Sequence, residues 1–165
     1  MRSPSGKPRA HKHGFSLIEL LVTLAILAVF ATITLPVTQI ALQRSQEQEL
    51  RRALHDIRAA IDAYQRASAE GRVMRKLGSS AYPGSLEILV DGVTDQRDPR
   101  RNKIYFLRRI PRDPMNPDTG SSDGAMWGKR SYASEASDPK EGEDVYDVYS
   151  TSPKIGLNGI AYRKW

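Results

Sequence analysis

The sequence of 165 residues contains no cysteine. That absence excludes a disulfide framework, a thiolate metal site and a cysteine nucleophile. Histidine is also scarce: of the three present, His11 and His13 lie among the first fourteen residues. The third, His55, is typical of a solvated residue on a charged helix, and no glycine-rich phosphate-binding loop occurs. We therefore expect a protein that is not an enzyme and has no catalytic residues.

Acidic residues are absent from residues 1–14, whereas four basic ones, Arg2, Lys7, Arg9 and Lys12, lie there. The same segment contains proline, glycine and serine and has nothing from which to build a core. The formal net charge of +6 is thus partly a property of this segment rather than of a basic domain. We interpret residues 1–14 as a targeting leader that is removed, and we do not expect the chain to bind nucleic acid.

Residues 15–37 nearly lack charge, and their single charged side chain is Glu19. At about 1.5 Å per residue, a helix of this length covers the roughly 30 Å hydrocarbon layer of a bilayer. The leader is basic, whereas charges of both signs follow the apolar run, so the positive-inside rule places the N-terminus in the cytoplasm. We predict a single membrane pass here. Pro36 predicts a kink near its end, because proline lacks the backbone donor.

Apolar residues recur at helical spacing within residues 38–77, which we predict to be the amphipathic half of the same long helix. The stripe consists of Leu50, Leu54, Ile57, Ile61 and Tyr64. Opposite charges at i,i+4 predict ion pairs between Glu47 and Arg51, Arg52 and Asp56, Arg58 and Asp62, and Asp62 and Arg66. We expect the stripe to pack on the chain's own domain. A coiled-coil dimer is the alternative, although the repeat lasts barely two heptads.

Residues 78–165 show short segments separated by turn signals, without an internal repeat. We predict a helical turn or two at residues 86–90 and strands at 104–107, 131–134 and 144–150. Residues 160–165 are predicted to be either a last strand or a tail, and the proline-rich stretch 111–120 a long loop. The expected fold class is α+β: a long N-terminal helix, membrane-spanning in its first half, packed on a small antiparallel sheet.

The junction between the leader and the apolar run has a distinctive pattern. The basic leader ends in Gly14, an aromatic residue follows at Phe15, and the only acid of the apolar run, Glu19, occupies the fifth position after the junction. This pattern resembles the processing site of type IV prepilins and pseudopilins. The resemblance implies that a prepilin peptidase cuts after Gly14 and methylates the new amine of Phe15. Glycine suits such a site because no side chain obstructs the backbone.

Glu19 needs a physical explanation, since an acid inside an apolar span costs about 2.5–3.5 kcal/mol on insertion scales. Either it lies at the membrane edge and reaches water, or it pairs with a protonated amine. The resemblance implies the second, with the Phe15 amine of a neighbouring subunit as the partner during assembly. Pro36 also stands where the family has a proline. The candidate assembly residues are therefore Phe15, Glu19 and Pro36.

The remainder of the chain resembles the major, G-type pseudopilin of type II secretion systems. The resemblance lies in residues 104–114, in Met126-Trp127-Gly128 followed by Tyr132, and in residues 144–150. It implies a pilin-like fold and a subunit of a periplasmic fibre that drives protein export across the outer membrane. It also implies location in the bacterial inner membrane, with the C-terminal domain in the periplasm. The implied partners are copies of this chain, minor pseudopilins, the prepilin peptidase and an inner-membrane assembly platform.

One segment departs from the G-type pattern, which has a calcium-binding loop rich in aspartate and glycine. Here residues 151–159 include Lys154 and no carboxylate. Calcium takes six to eight oxygen ligands, several of them charged. Asp144 and Asp147 alone do not make such a site. We therefore expect a degraded calcium site, no metal and no other cofactor.

An alternative function stays open, that of a type IV pilus or DNA-uptake pilin. The absence of cysteine favours the secretion role, because many pilins close their C-terminal loop with a disulfide. A basic cluster bears on the alternative and consists of Arg97, Arg100, Arg101, Lys103, Arg108, Arg109 and Arg112. It is typical of a solvated face, and its functional interpretations are contact with acidic faces of neighbouring subunits or DNA binding.

Overall fold

The computed structural model describes residues 15–75, 78–116 and 122–165, with the side chains of residues 32–37 also outside the described part. The predicted leader, with Gly14, lies outside the described residues. The chain divides into two units between Ala41 and Leu42. In chain order the elements are α1 (Leu17–Ala69), α2 (Glu87–Asp91), β1 (Val93–Thr94), β2 (Lys103–Ile104), β3 (Trp127–Arg130), β4 (Asp147–Ser150) and a 3₁₀ turn (Tyr162–Lys164).

Helix α1 ends at Ala69, so the predicted extension to residue 77 is wrong. The cause is Gly71, whose φ of 72° is left-handed and is accessible to glycine without strain. The Arg72 amide donates to the Ala67 carbonyl at 2.9 Å, and the Gly71 amide donates to the Ser68 carbonyl at 3.0 Å. These two bonds form a Schellman motif, which satisfies the last carbonyls of the helix and turns the chain away.

The predicted stripe on α1 is confirmed as a core face. All five of its residues are buried, and Leu50 and Ile57 are fully so. They pack with Leu86 and Leu89 around α2 and with side chains from the strands, among them Trp127 and Val148. Because the stripe is already covered by residues of its own unit, the coiled-coil alternative loses its basis.

The strands form two separate antiparallel pairs. Strand β1 pairs with β2 in the register Val93 to Ile104, and β3 pairs with β4 in the register Trp127 to Ser150. In the second pair the ring of Tyr149 covers Gly128, and a Cβ there would collide with it. A long helix against small antiparallel sheets is an α+β fold, as predicted, and is consistent with the pilin-like fold.

Two strand predictions need correction. Of residues 104–107 only Ile104 is in a strand, because the amides of Phe106 and Leu107 both donate to Leu89 and hold the chain on α2 instead. Residues 131–134 form a turn, in which the Ser134 amide donates to the Ser131 carbonyl at 3.1 Å. Small polar residues fit such a turn as well as they fit a strand.

The other two segments agree in part. Strand β4 occupies only the second half of the predicted residues 144–150. Near the C-terminus Ala161 forms a single bridge with Ile155, and the 3₁₀ turn follows, so the end of the chain is neither a full strand nor a loose tail.

The helical turn predicted at 86–90 is present as α2. The loop prediction for 111–120 holds through Asn116, beyond which it lies outside the described residues.

In the described part of the chain, no helix combines the length and the apolar character that crossing a membrane requires. The predicted span at residues 15–37 includes the side chains of 32–37, which lie outside that part, and so it is not confirmed here. Helix α1 continues through Pro36, and the proline therefore does not end it.

Candidate functional site

The first described residues form the start of α1. Phe15 precedes the helix and is 81% exposed. Ser16 is the cap residue: its Oγ accepts a hydrogen bond from the Glu19 amide at 3.2 Å, and its carbonyl accepts one from the Leu20 amide at 3.1 Å. Sequence analysis overlooked Ser16, although the spacing Ser-x-x-Glu before an apolar run is the signature of a capping box.

Glu19 lies in the first turn of α1 and is exposed. An acid there is favoured by the partial positive charge of the helix N-terminus, which explains part of its presence beside apolar residues. Among the residues that the structure describes, Glu19 forms no ion pair. In the uncut chain the Phe15 nitrogen belongs to a peptide bond and cannot serve as a cation. No described residue therefore competes with a charge from another molecule for this carboxylate.

Apolar side chains are exposed all around this part of α1. The exposed large apolar side chains between Phe15 and Phe30 are each at least 51% accessible to solvent. A helix that is apolar on all faces requires an apolar environment, either lipid or other helices. No described residue covers these side chains. An exposed apolar surface of this size marks contact with a membrane or with another protein.

The second unit holds its C-terminal loop to α1 through a buried carboxylate. Glu47 is 6% exposed, and its Oε1 accepts hydrogen bonds from the Leu157 amide at 2.7 Å and the Tyr162 hydroxyl at 2.9 Å. Gln43 donates to the Tyr162 oxygen at 2.9 Å. Burial, and then the neighbouring carboxylate, raise the pKa of Tyr162, which keeps its hydroxyl protonated as a donor. We call Gln43, Glu47, Leu157 and Tyr162 the Glu47 clasp.

A second fastening lies further along α1. The Arg58 guanidinium donates to Asp147 at 2.7 Å, to the Val148 carbonyl at 3.0 Å and to the Trp165 oxygen at 2.8 Å. Arg130 of β3 approaches the other oxygen of Asp147 at 3.3 Å. One aspartate therefore joins α1, both strands of the second pair and, through Arg58, the C-terminus.

The predicted i,i+4 ion pairs of α1 are wrong. Within the described part of the chain, none of the four pairs is in ion-pair contact. Glu47 and Arg58 bind partners across the fold, and Arg51 stacks on the Trp165 ring at 4.6 Å from its centre. The burial of Glu47 could have been predicted from the stripe. Glu47 lies three residues before Leu50 and seven before Leu54, and so it shares their buried face.

The two aspartates considered for calcium have other partners. Asp147 is bound by two arginines, as above, and Asp144 accepts the Tyr132 amide at 2.9 Å. Burial works to raise the pKa of Asp144, but hydrogen bonds from Ser80, the Tyr132 amide and Ser131 outweigh it and lower that pKa. Among the described residues, no cluster of three or more histidine, aspartate or glutamate side chains is placed to hold a metal ion.

The basic cluster lies on the β1–β2 loop and the segment that follows. The acidic residues near the cluster bind partners close by. Asp95 forms an ion pair with Arg72 at 2.7 Å, and Asp98 accepts hydrogen bonds from the Arg100 and Asn102 amides. The hydrogen bond from Arg72 lowers the pKa of Asp95, and that from the Arg100 amide lowers the pKa of Asp98. The side chains of Arg100, Arg101, Arg108 and Arg109 are exposed, and none forms an ion pair with a described residue.

Comparison with known proteins identifies the family. Residues 9–35 match the family model described as the prokaryotic N-terminal methylation motif. The chain is 31% identical over 114 residues to the type II secretion system core protein G of Pseudomonas aeruginosa PAO1, an alignment that covers 66% of this chain and 72% of that protein. The chain belongs to the type II secretion core protein G family. It is a pseudopilin.

Two further relatives support the assignment. The core protein G of Pectobacterium carotovorum is 27% identical over 117 residues, 68% of each chain, and that of Klebsiella michiganensis is 25% identical over 114 residues. No solved structure matches the chain. In this pseudopilin the matched motif includes Gly14, Phe15 and Glu19, and Pro36 lies just beyond it.

Proposed function

We propose that this pseudopilin is a subunit of a periplasmic fibre, anchored in the bacterial inner membrane through residues 15–37 and cut after Gly14. The observation that carries the proposal is the exposed, mostly apolar surface from Phe15 to Leu27, whose single charged side chain is Glu19. Lipid covers that surface in the unassembled subunit, and neighbouring helices cover it in the fibre. The N-terminus lies in the cytoplasm and the second unit in the periplasm.

Assembly then depends on a charge pair that cleavage creates. Removal of the leader after Gly14 converts the Phe15 amide nitrogen into an amine, which the peptidase methylates and which stays cationic. Glu19 has no ion-pair partner among the described residues, so the amine of a neighbouring subunit relieves the cost of keeping its charge in apolar surroundings. Pro36 lies where α1 leaves the apolar run, and we assign it a supporting role in subunit packing.

The partners follow from this role. They are other copies of the chain, minor pseudopilins, the prepilin peptidase and the inner-membrane assembly platform. We assign the chain no catalytic function, no cofactor and no calcium, because Asp144 and Asp147 are engaged elsewhere and residues 151–159 lack carboxylates. The basic cluster is the feature that favours the alternative of a DNA-uptake pilin. The secretion role has the stronger support, since the three relatives are all secretion proteins.

A processing and complementation experiment tests the proposal. The chain is expressed in a secreting bacterium that lacks its own core protein G, and both the intact mass of the membrane-extracted protein and the amount of exported protein are measured. We expect a mature chain that begins at methylated Phe15 and restores export. Gly14→Val should leave the precursor uncut, because a branched side chain obstructs the junction. A mature N-terminus elsewhere would contradict the cleavage site, and correct processing without export would contradict the secretion role.

A further inference from the structure

The C-terminal loop exposes apolar and basic side chains side by side. Ile155 is 61% exposed, Leu157 44% and Ile160 47%, and Lys154 and Lys164 beside them are exposed as well. No acidic residue occurs after Asp147. Glu47, which touches the loop, is buried and accepts hydrogen bonds from three donors. The loop surface is therefore apolar with positive charge only.

This exposure belongs to a loop of fixed conformation. Ile155 bridges Ala161, the Gly156 amide donates to the Ile160 carbonyl at 2.9 Å, and the Glu47 clasp fastens the loop tip to α1. Single exposed apolar side chains are common on protein surfaces, whereas a group of them on one segment marks an interaction site. Ile155, Leu157 and Ile160 form such a group on a loop that is held in one conformation, which is typical of a binding surface.

The chain itself limits where this loop lies. Its anchor Gln43, whose amide approaches the Ile155 carbonyl at 3.4 Å, follows the predicted membrane span after only six residues. Six residues reach at most about 22 Å even when fully extended. With residues 15–37 in the bilayer, the loop is confined to the neighbourhood of the periplasmic lipid surface.

We propose that residues 154–164 dock on the anionic phospholipid surface of the inner membrane in the unassembled subunit. Ile155, Leu157 and Ile160 enter the boundary between headgroups and acyl chains, and Lys154 and Lys164 meet lipid phosphates. Apolar side chains flanked by cations are the pattern of segments that lie on membranes. The docking rests on the membrane anchoring proposed above, and it holds the second unit at the bilayer until assembly lifts the subunit out.

The absence of cysteine makes a direct test possible. Leu157→Cys of the full-length protein is labelled with a polarity-sensitive fluorophore and placed in vesicles of phosphatidylglycerol or of phosphatidylcholine that carry a quencher on the lipid. We expect strong quenching in phosphatidylglycerol. Lys154→Gln with Lys164→Gln should lower the docked-to-free ratio by about 25-fold, since each lysine near an anionic surface contributes about fivefold.

Matched controls separate the possible failures. A label at Val22→Cys reports the anchoring, and one at Ala136→Cys, on an exposed loop, should stay unquenched. Arg108→Gln with Arg109→Gln removes two exposed charges elsewhere and should leave quenching at residue 157 unchanged. The melting temperature of each variant checks its fold.

The results distinguish failure of the loop docking from failure of the membrane anchoring. Quenching at residue 22 but not at 157 overturns the docking and leaves the anchoring intact, whereas no quenching at 22 overturns both. A signal at residue 157 that grows with protein density and ignores phosphatidylglycerol shows a second copy of the chain as the occupant and also overturns the docking.

Discussion

The carboxylate of Glu47 on helix α1 accepts a hydrogen bond from the backbone amide of Leu157, 110 positions further along the chain. This bond and that from the Tyr162 hydroxyl hold the C-terminal loop, in which the sequence predicts a degraded calcium site, against α1. An acceptor on the helix thus holds backbone and hydroxyl donors of the loop directly. Both the acceptor and the donors of these hydrogen bonds belong to the chain.

Loss of the Glu47 carboxylate should destabilise the second unit. Glu47→Ala leaves the buried Tyr162 hydroxyl and the Leu157 amide without their acceptor, and we expect a loss of about 1–3 kcal/mol in the free energy of unfolding. Glu47→Gln keeps an acceptor oxygen and should lose less. Urea denaturation measures both. Glu49→Ala is the matched control, since this exposed neighbour should change the free energy by under about 0.5 kcal/mol. An equal, small effect at both positions would show that the clasp does not stabilise the fold.

The loss of folding stability at low pH should depend in part on Asp144. Its pKa is lower in the folded chain than in the unfolded one, so its contribution is present above the unfolded value and disappears as pH falls through the folded value. Melting temperatures measured from neutral pH down to about pH 2 should fall less steeply for Asp144→Asn than for the parent chain. Asparagine keeps an acceptor for the Tyr132 amide, so the comparison isolates the charge. Parallel curves for the two proteins would contradict this.

Chelation should leave the fold unchanged. Residues 151–159 offer no carboxylate, Asp147 is held by Arg58 and Arg130, and Asp144 by the Tyr132 amide. The melting temperature should therefore be the same with a chelator and with added calcium. A fall on chelation that calcium alone restores would reveal a site built from backbone oxygens.

Helix and core were predictable because their signals are local and periodic. The stripe from Leu50 to Tyr64 repeats at helical spacing, and Gly71, had it been weighed, marks the true helix end. The strands were harder to predict, because β1 and β2 have two residues each and depend on pairing across the chain. Arg58 shows the same limit: its local partner Asp62 was plausible, but its observed partner Asp147 lies 89 positions away.

The junction motif could be recognised from sequence, since Gly14, Phe15 and Glu19 are contiguous and distinctive. The Glu47 clasp could not, because its donors come from a loop with no regular pattern. A buried carboxylate needs hydrogen-bond donors. Of the acidic residues of α1, Glu47 lies on the buried face, so the stripe alone predicts that Glu47 has such donors.

Glu19 offers the sharpest test of assembly, because two explanations of it can be separated. As an acid in the first turn, three residues after the cap Ser16, it helps to start α1. As a charge with no ion-pair partner among the described residues, it is proposed to pair with the amine of a neighbouring Phe15. Glu19→Gln retains the capping geometry and removes the charge, and Ser16→Ala removes the cap and retains the charge. We expect Glu19→Gln and Glu19→Ala to be cleaved and inserted normally, with the second unit folded, but to form fibres slowly or not at all. Glu19→Asp keeps the charge on a shorter side chain and should be partly defective. Fibre growth is measured by crosslinking of single cysteines introduced at helix positions near residue 16, and Ser16 itself carries no label because it is the cap. If Ser16→Ala is as defective as Glu19→Gln, the helix start is what assembly requires. Normal assembly and export by the glutamine variant would show that Glu19 is a solvated residue at the membrane edge.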